Sequence, residues 1–238
     1  MGKVLLLTRR EIGSNFASPV AYVAMALFLS ITGFFFVFAD FRPGAPAAMR
    51  SNFEVMTFVL VFVLPALTMR TFSEERRTGT LETLLTAPVM DVQVVLAKFL
   101  GSWLFYLAML APTLLYLVLL RIYGNPEYGP VASGYLGLAL LGALYIAIGV
   151  LTSSMTSSQV IAAVTAVVIL FLLVMLAPWL GMLAPPPWRA IILGAAVRTH
   201  YTDFSQGVVD LVHVVYFVAV TAWALFFTVK ILESRRWR

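Results

Sequence analysis

Cysteine is absent from the 238 residues, which removes disulfides, thiol nucleophiles and cysteine-ligated metals together. Histidine is almost absent: His200 and His213 are the only two, too few for a histidine-based metal site. Charge is scarce as well. Lys and Arg number 16 and Asp and Glu 11, together 11% of the chain, where a soluble domain of this length carries about a quarter, or roughly 60. No Gly-x-x-x-x-Gly-Lys-Ser/Thr loop occurs, so ATP hydrolysis by a phosphate loop is excluded. A zinc hydrolase lacks its His-Glu-x-x-His, and Ser133-Gly134 with a distant histidine is a weak hydrolase pattern.

Apolar sequence fills the space. Hydrophobic residues make up 61% and the mean hydropathy is +0.96; a soluble fold would leave its surface largely greasy. The expected fold class is therefore an all-α integral membrane protein. At about 20 residues per span, six spans leave no room for a folded ATPase domain. The runs lie at about 20–39, 53–72, 97–120, 135–151, 160–180 and 208–232, in one transmembrane domain over 1–238. The first is too long for the apolar region of a cleaved signal peptide.

The net charge of +5 forms no single basic patch, so nucleic acid is not an expected partner. The basic residues instead flank the runs. Lys3, Arg9, Arg10, Arg70, Arg76, Arg77, Lys98, Lys230, Arg235, Arg236 and Arg238 fall on one side, eleven in all. Arg42, Arg50, Arg121, Arg189 and Arg198 fall on the other, five in all. That bias places both termini in the cytoplasm. Residues 3–16 put Leu5, Ile12 and Phe16 on one helical face, which suits a helix in the membrane interface.

The segment between the second and third runs, about 73–91, is the most informative. Leu81, Leu84 and Leu85 fall at i, i+3 and i+4, with Thr80, Glu82, Thr83 and Thr86 facing away. Gly79 breaks the preceding helix and Pro88 stops the following one, leaving a two-turn amphipathic helix suited to a partner's groove. Asp91 is placed to cap the next helix. Elsewhere, Asp210 and His213 stand three apart and would share a face at the start of the sixth span; they read as an interface pair or as part of a transport path. Glu54 and Asp40 read as boundary residues, Thr152 to Ser158 as the turn between spans four and five, and Ala139, Ala143 and Ala147 as a small-residue packing ridge.

Phe72-Ser-Glu-Glu-Arg-Arg-Thr-Gly-Thr-Leu-Glu-Thr-Leu-Leu-Thr-Ala-Pro-Val, then Asp91 and Lys98-Phe99, closely resembles ABC-2 type transporter permeases, most of all the gliding-motility type. It is also similar to permeases of nitrous-oxide reductase maturation systems. Thr199-His200, Asp203 to Asp210, Val215-Tyr216-Phe217 and Leu232-Glu233-Ser234-Arg235 carry the resemblance to the C-terminus.

The resemblance implies a type V exporter-like fold: an interfacial helix, six spans, a coupling helix between spans two and three, and re-entrant helices between spans five and six. Independently, Pro185-Pro186-Pro187 before Trp188, Ile191, Ile192 and Leu193 gives a stretch too short to cross. The resemblance further implies a non-catalytic permease in the bacterial cytoplasmic membrane, in contact with lipid and paired with itself or a related permease. ATP and magnesium would sit on a separate ATP-binding subunit. Glu75, Arg76, Gly79, Thr80, Leu81, Glu82 and Leu84 would transmit its motion: Gly79 bending, the leucines filling the groove, Glu75 and Arg76 pairing with partner charges. A cavity lined mainly by apolar residues of spans one, two and five would take a lipid-like or polymeric cargo, with export the expected direction. A membrane anchor for a motility or metalloenzyme-maturation machine is the alternative.

Overall fold

The computed structural model describes residues 2–41, 48–80 and 89–236. Among these no strand occurs, and six helical stretches are long and apolar enough to cross a membrane. They are Pro19–Asp40, Arg50–Arg77, Asp91–Tyr123, Tyr128–Met155, Gln159–Leu183 and Leu211–Ser234. An all-α, six-span membrane fold is what the composition requires.

Helix α1, Gly2–Ala17, lies before the spans. Span one is α2, Pro19–Phe35, with Pro at its first position, continued by a π-helical turn at Phe36–Asp40. Span two is α3, Arg50–Thr68, and α4, Arg70–Arg77. Span three is α5, Asp91–Leu110, and α6, Leu114–Tyr123, separated by a 3-10 turn where Pro112 interrupts the hydrogen-bond ladder. Span four is α7, Tyr128–Met155. Span five is α8, Gln159–Phe171, a second π turn at Leu172–Leu176, and α9, Ala177–Leu183. Two short helices follow, α10, Pro186–Ala195, and α11, Val197–Ser205, before α12, Leu211–Arg236, forms span six.

Helix α7 is the centre of the bundle. Its apolar window is 72% buried, against 28% for span one and 17% for span six, whose outer faces are left for lipid. Because lipid is as apolar as leucine, the bundle is held by close packing more than by removal of apolar surface from water. Glycines on α7 permit that approach. A Cβ on Gly134 would lie 2.3 Å from the Phe53 ring, one on Gly142 2.0 Å from Tyr106, and one on Gly149 1.9 Å from the Thr68 hydroxyl. The ridge of Ala139, Ala143 and Ala147 lies on the same helix, with Ala143 and Ala147 buried, but the glycines mark the closest approaches.

On α1, Leu5 and Phe16 are exposed, open to a surrounding membrane interface, while Thr8 and the partly buried Glu11, Ile12 and Asn15 line the side on which α1 packs against α5. Two local expectations are corrected. Asp91 does not cap α5: Met90 holds that position and Asp91 opens the first turn, a favourable place for a carboxylate. Only residues 156–158 lie between α7 and α8, so Thr152 to Met155 belong to α7.

Candidate functional site

Two regions concentrate polar chemistry. One lies at the end of the bundle that carries α1, the other at the opposite, far end.

At the first end, Lys98 is 4% exposed and central. Its Nζ lies 2.7 Å from Glu75 Oε1 and 3.1 Å from Glu11 Oε1, and 5.2 Å from the centre of the Phe72 ring. Three segments, α1, α4 and α5, are thereby joined by one ammonium. Span three has 33 residues, a rise of about 50 Å against an apolar layer of about 30 Å. Its first turns, with Lys98, therefore have room to stand outside that layer. A polar cavity of about 430 Å³ lies beside this junction, lined by Arg10, Ser14, Arg70, Glu74 and Glu75 among others.

The junction is braced by span four. Pro65 lacks an amide hydrogen, and the helix breaks at Met69 between α3 and α4. The Ser153 hydroxyl of α7 fills that break. It accepts from the Phe72 and Ser73 amides at 3.0 and 3.1 Å and donates to the Met69 carbonyl at 2.9 Å. Arg76 adds a bond to the Ser154 carbonyl at 3.2 Å.

Of the residues read as a transmitting segment, Glu75, Arg76, Gly79 and Thr80 are described, while Leu81, Glu82 and Leu84 lie outside the described residues. Glu75 places one carboxylate oxygen on Lys98 within its own chain. Gly79 has φ +74°, the left-handed conformation that glycine adopts at a helix end without steric cost, and its amide reaches the Arg76 carbonyl at 3.4 Å. Thr80 is exposed, its hydroxyl 2.9 Å from that of Thr78.

At the far end, Asp210 and His213 do not pair. Residues 208–210 are non-helical, so Asp210 precedes α12 rather than sharing its face. Its carboxylate accepts the Val212 amide at 3.0 Å, as an N-cap does. His213 faces Asp203 and His200 instead: Nε2 is 2.6 Å from Asp203 Oδ2 and Nδ1 is 2.7 Å from His200 Nδ1. His200 Nε2 in turn lies 3.0 Å from the Gly194 carbonyl, and its ring stacks on Tyr216 at 3.9 Å. The chain is satisfied when one hydrogen lies in each of its three gaps. It ties α10 and α11 to the start of α12. Burial pushes the His200 pKa down, outweighing the Gly194 hydrogen bond that favours its charged form; His213 lowers it further and Asp203 raises it.

Sequence reasoning missed this triad because its members sit at separations of three, ten and thirteen residues across two helices. Ser133, the weak hydrolase candidate, is 5% exposed, its hydroxyl 2.7 Å from the Phe204 carbonyl and 2.9 Å from that of Gly129. It is occupied in holding α11 against α7. Asp40 is buried and accepts the Asn52 amide at 3.1 Å, closing the end of span one onto the first turn of α3.

The far end also holds a cavity of about 840 Å³, roomier than the one beside Lys98. Its wall is apolar, from Leu27, Ile31 and Phe35 of span one, Phe58 and Phe62 of span two, and Val174 of span five. Its rim carries Arg50, Glu54 and Arg198, with an ion pair of 3.4 Å between Arg198 Nη2 and Glu54 Oε2.

The family model described as ABC-2 family transporter protein matches residues 47–194, which is 148 of the chain's 238 residues. No curated protein matches the chain significantly.

Proposed function

This chain belongs to the ABC-2 transporter family, a multi-pass membrane protein with six spanning-capable helices, and we propose that it is the permease subunit of an ATP-driven exporter. Permeases of this family work with an ATP-binding subunit, which would carry ATP and magnesium. In this reading both termini face the cytoplasm, as the distribution of Lys and Arg supports, and the chain sits in a bacterial cytoplasmic membrane as a pair of permeases. Residues 72–89 and 199–210 support the gliding-motility type within the family.

The observation that carries the coupling role is the junction at Lys98. Helix α4 leaves span two, turns at Gly79 and leads into residues 81–88, while its own Glu75 is bound to a lysine that also holds α1. A push on the segment from the ATP-binding subunit would reach α4 directly and α1 and α5 through Lys98. Gly79, Thr80, Leu81, Glu82 and Leu84 form the contact with the partner, with Arg76 bracing it to span four. Glu75 serves inside the chain, transmitting rather than docking. Helices α10 and α11, of 10 and 9 residues, are too short to cross, which supports a re-entrant pair on the outer side. The 840 Å³ cavity is the candidate substrate site.

The test is affinity purification of the tagged full chain from its own cells, followed by mass spectrometry and ATPase assay. We expect an ATP-binding subunit in equal copies, lost on Leu84→Asp, and ATPase that no longer responds to the permease in Gly79→Pro. Co-purification and ATPase unchanged in both variants would overturn the coupling assignment.

A further inference from the structure

The far-end cavity is amphipathic along its length. Arg50 opens α3 and Arg198 stands second in α11, so both guanidinium-bearing residues lie at a span boundary, above a wall of aliphatic and aromatic side chains. Among its lining residues two are cationic and one, Glu54, is anionic. The one ion pair there is weakly held. Arg198 and Glu54 side chains are 49% and 51% exposed and 3.4 Å apart, a geometry that contributes little in water. A guanidinium released from such a pair presents a planar fork of donors, well matched to a phosphate or carboxylate.

The backbone points to the same place. The two π-helical turns among the described residues, at Phe36–Asp40 and Leu172–Leu176, both border this cavity through Ala39, Val174 and Met175. A π turn inserts a residue into an α-helix at an energetic cost and recurs at functional sites. Here two spans each carry one, and both contribute residues to the cavity wall.

We infer that this cavity binds an amphiphile with an anionic head, Arg50 and Arg198 taking the head while the aromatic wall of Phe35, Phe58 and Phe62 takes the tail. Glu54 holds Arg198 in place when the site is empty and is displaced by the incoming anion. A zwitterionic head offers the same phosphate but adds a quaternary ammonium that the two arginines repel, and a cationic head offers no anion, so both meet the same wall with less gain from that exchange. The volume lies within the range of small-molecule sites. The inference rests on the permease reading for its consequence, since the bound amphiphile would be cargo, but not for the binding itself.

The experiment uses the purified complex in detergent, exposed to equal amounts of dioleoyl phosphatidylglycerol and dioleoyl phosphatidylcholine, with retained lipid counted by mass spectrometry. We expect the anionic lipid to be retained about tenfold over the zwitterionic one, a ratio that a modest repulsion between the choline ammonium and the two arginines supplies. Arg50→Gln with Arg198→Gln should bring the ratio to parity, and Glu54→Gln should raise it. Soluble glycerophosphate should not compete, because it lacks the tail. Equal retention of both lipids by the wild type overturns the inference, as does competition by glycerophosphate. A disulfide-linked dimer formed by Phe58→Cys would also overturn it, since a second copy would then cover the wall. If no ATP-binding subunit is present the permease reading fails while the lipid ratio still reports on the cavity; if the subunit is present and the ratio is one, the inference fails alone.

Discussion

Lys98 is bound by two carboxylates, and removing its charge leaves both facing each other. Breaking a buried pair this way costs about 3–5 kcal/mol, and the two glutamate side chains are each 27% exposed, so solvent reduces the expected loss to about 2 kcal/mol. Lys98→Met should therefore lower the unfolding midpoint of the purified chain. Adding Glu11→Gln and Glu75→Gln should recover most of the loss, because no uncompensated charge then remains. A triple variant no more stable than Lys98→Met alone would show that Lys98 acts through its aliphatic stem. His200 makes a second prediction. Its pKa is lowered in the folded chain, so the unfolded chain takes up the proton first as pH falls. The contribution is present in full above about 6.5, the ordinary histidine value, and is lost as pH falls from there to the lowered value. Melting curves from pH 8 to 5 should show the wild type losing stability on the acid side more steeply than His200→Gln, with parallel curves above about pH 7.

At the scale of elements, α7 decides the packing. Gly142 lies so close to Tyr106 that a Cβ would overlap the ring, and Tyr106 is fully buried with its hydroxyl 2.8 Å from the Leu138 carbonyl. The ring has nowhere to go without breaking that bond. Gly142→Ala should destabilise by about 1–3 kcal/mol, the usual range for overpacking, and Gly142→Leu should prevent the bundle from forming. Gly129 has nothing near the Cβ position, so Gly129→Ala on the same helix is the control and should be close to neutral. Thermal unfolding of the three variants in one detergent checks the order. The break between α3 and α4 is an element-scale feature too: proline weakens the helix at Pro65, and the hydroxyl that fills the gap comes from Ser153, 80 or more residues away.

At the scale of the molecule, six crossings would return the chain to the side from which it started, and its excess of Lys and Arg supports the proposal that this side is the cytoplasm. In the cysteine-free chain, single cysteines can report topology without a background. Gly2→Cys and Ser234→Cys should both be labelled by a membrane-impermeant maleimide only after inverted vesicles replace intact cells. Gly194→Cys, in α10, should show the opposite pattern. Labelling of Gly2 and Ser234 from opposite faces would mean that one of the six helices does not cross.

Much of this was legible in order along the chain. With so few charges and such long apolar runs, the sequence by itself determined the membrane class, the six spans, the exclusion of thiol and phosphate-loop chemistry, and the break at Gly79, because each depends on hydropathy or backbone freedom over a short stretch. It also located the cavity wall on spans one, two and five, through the resemblance to ABC-2 permeases. The partners of individual polar residues were not legible. Asp210 and His213 sit close in sequence but diverge where the chain becomes helical, and His213 meets Asp203 and His200 instead. Glu75 looked free to meet another protein until α5 brought Lys98 to it across 23 residues, the same lysine being met by Glu11 of α1 across 87. Only the tertiary structure decided these pairings, since an ion pair or hydrogen bond depends on distances of about 3 Å between segments whose approach is set by the packing of whole helices.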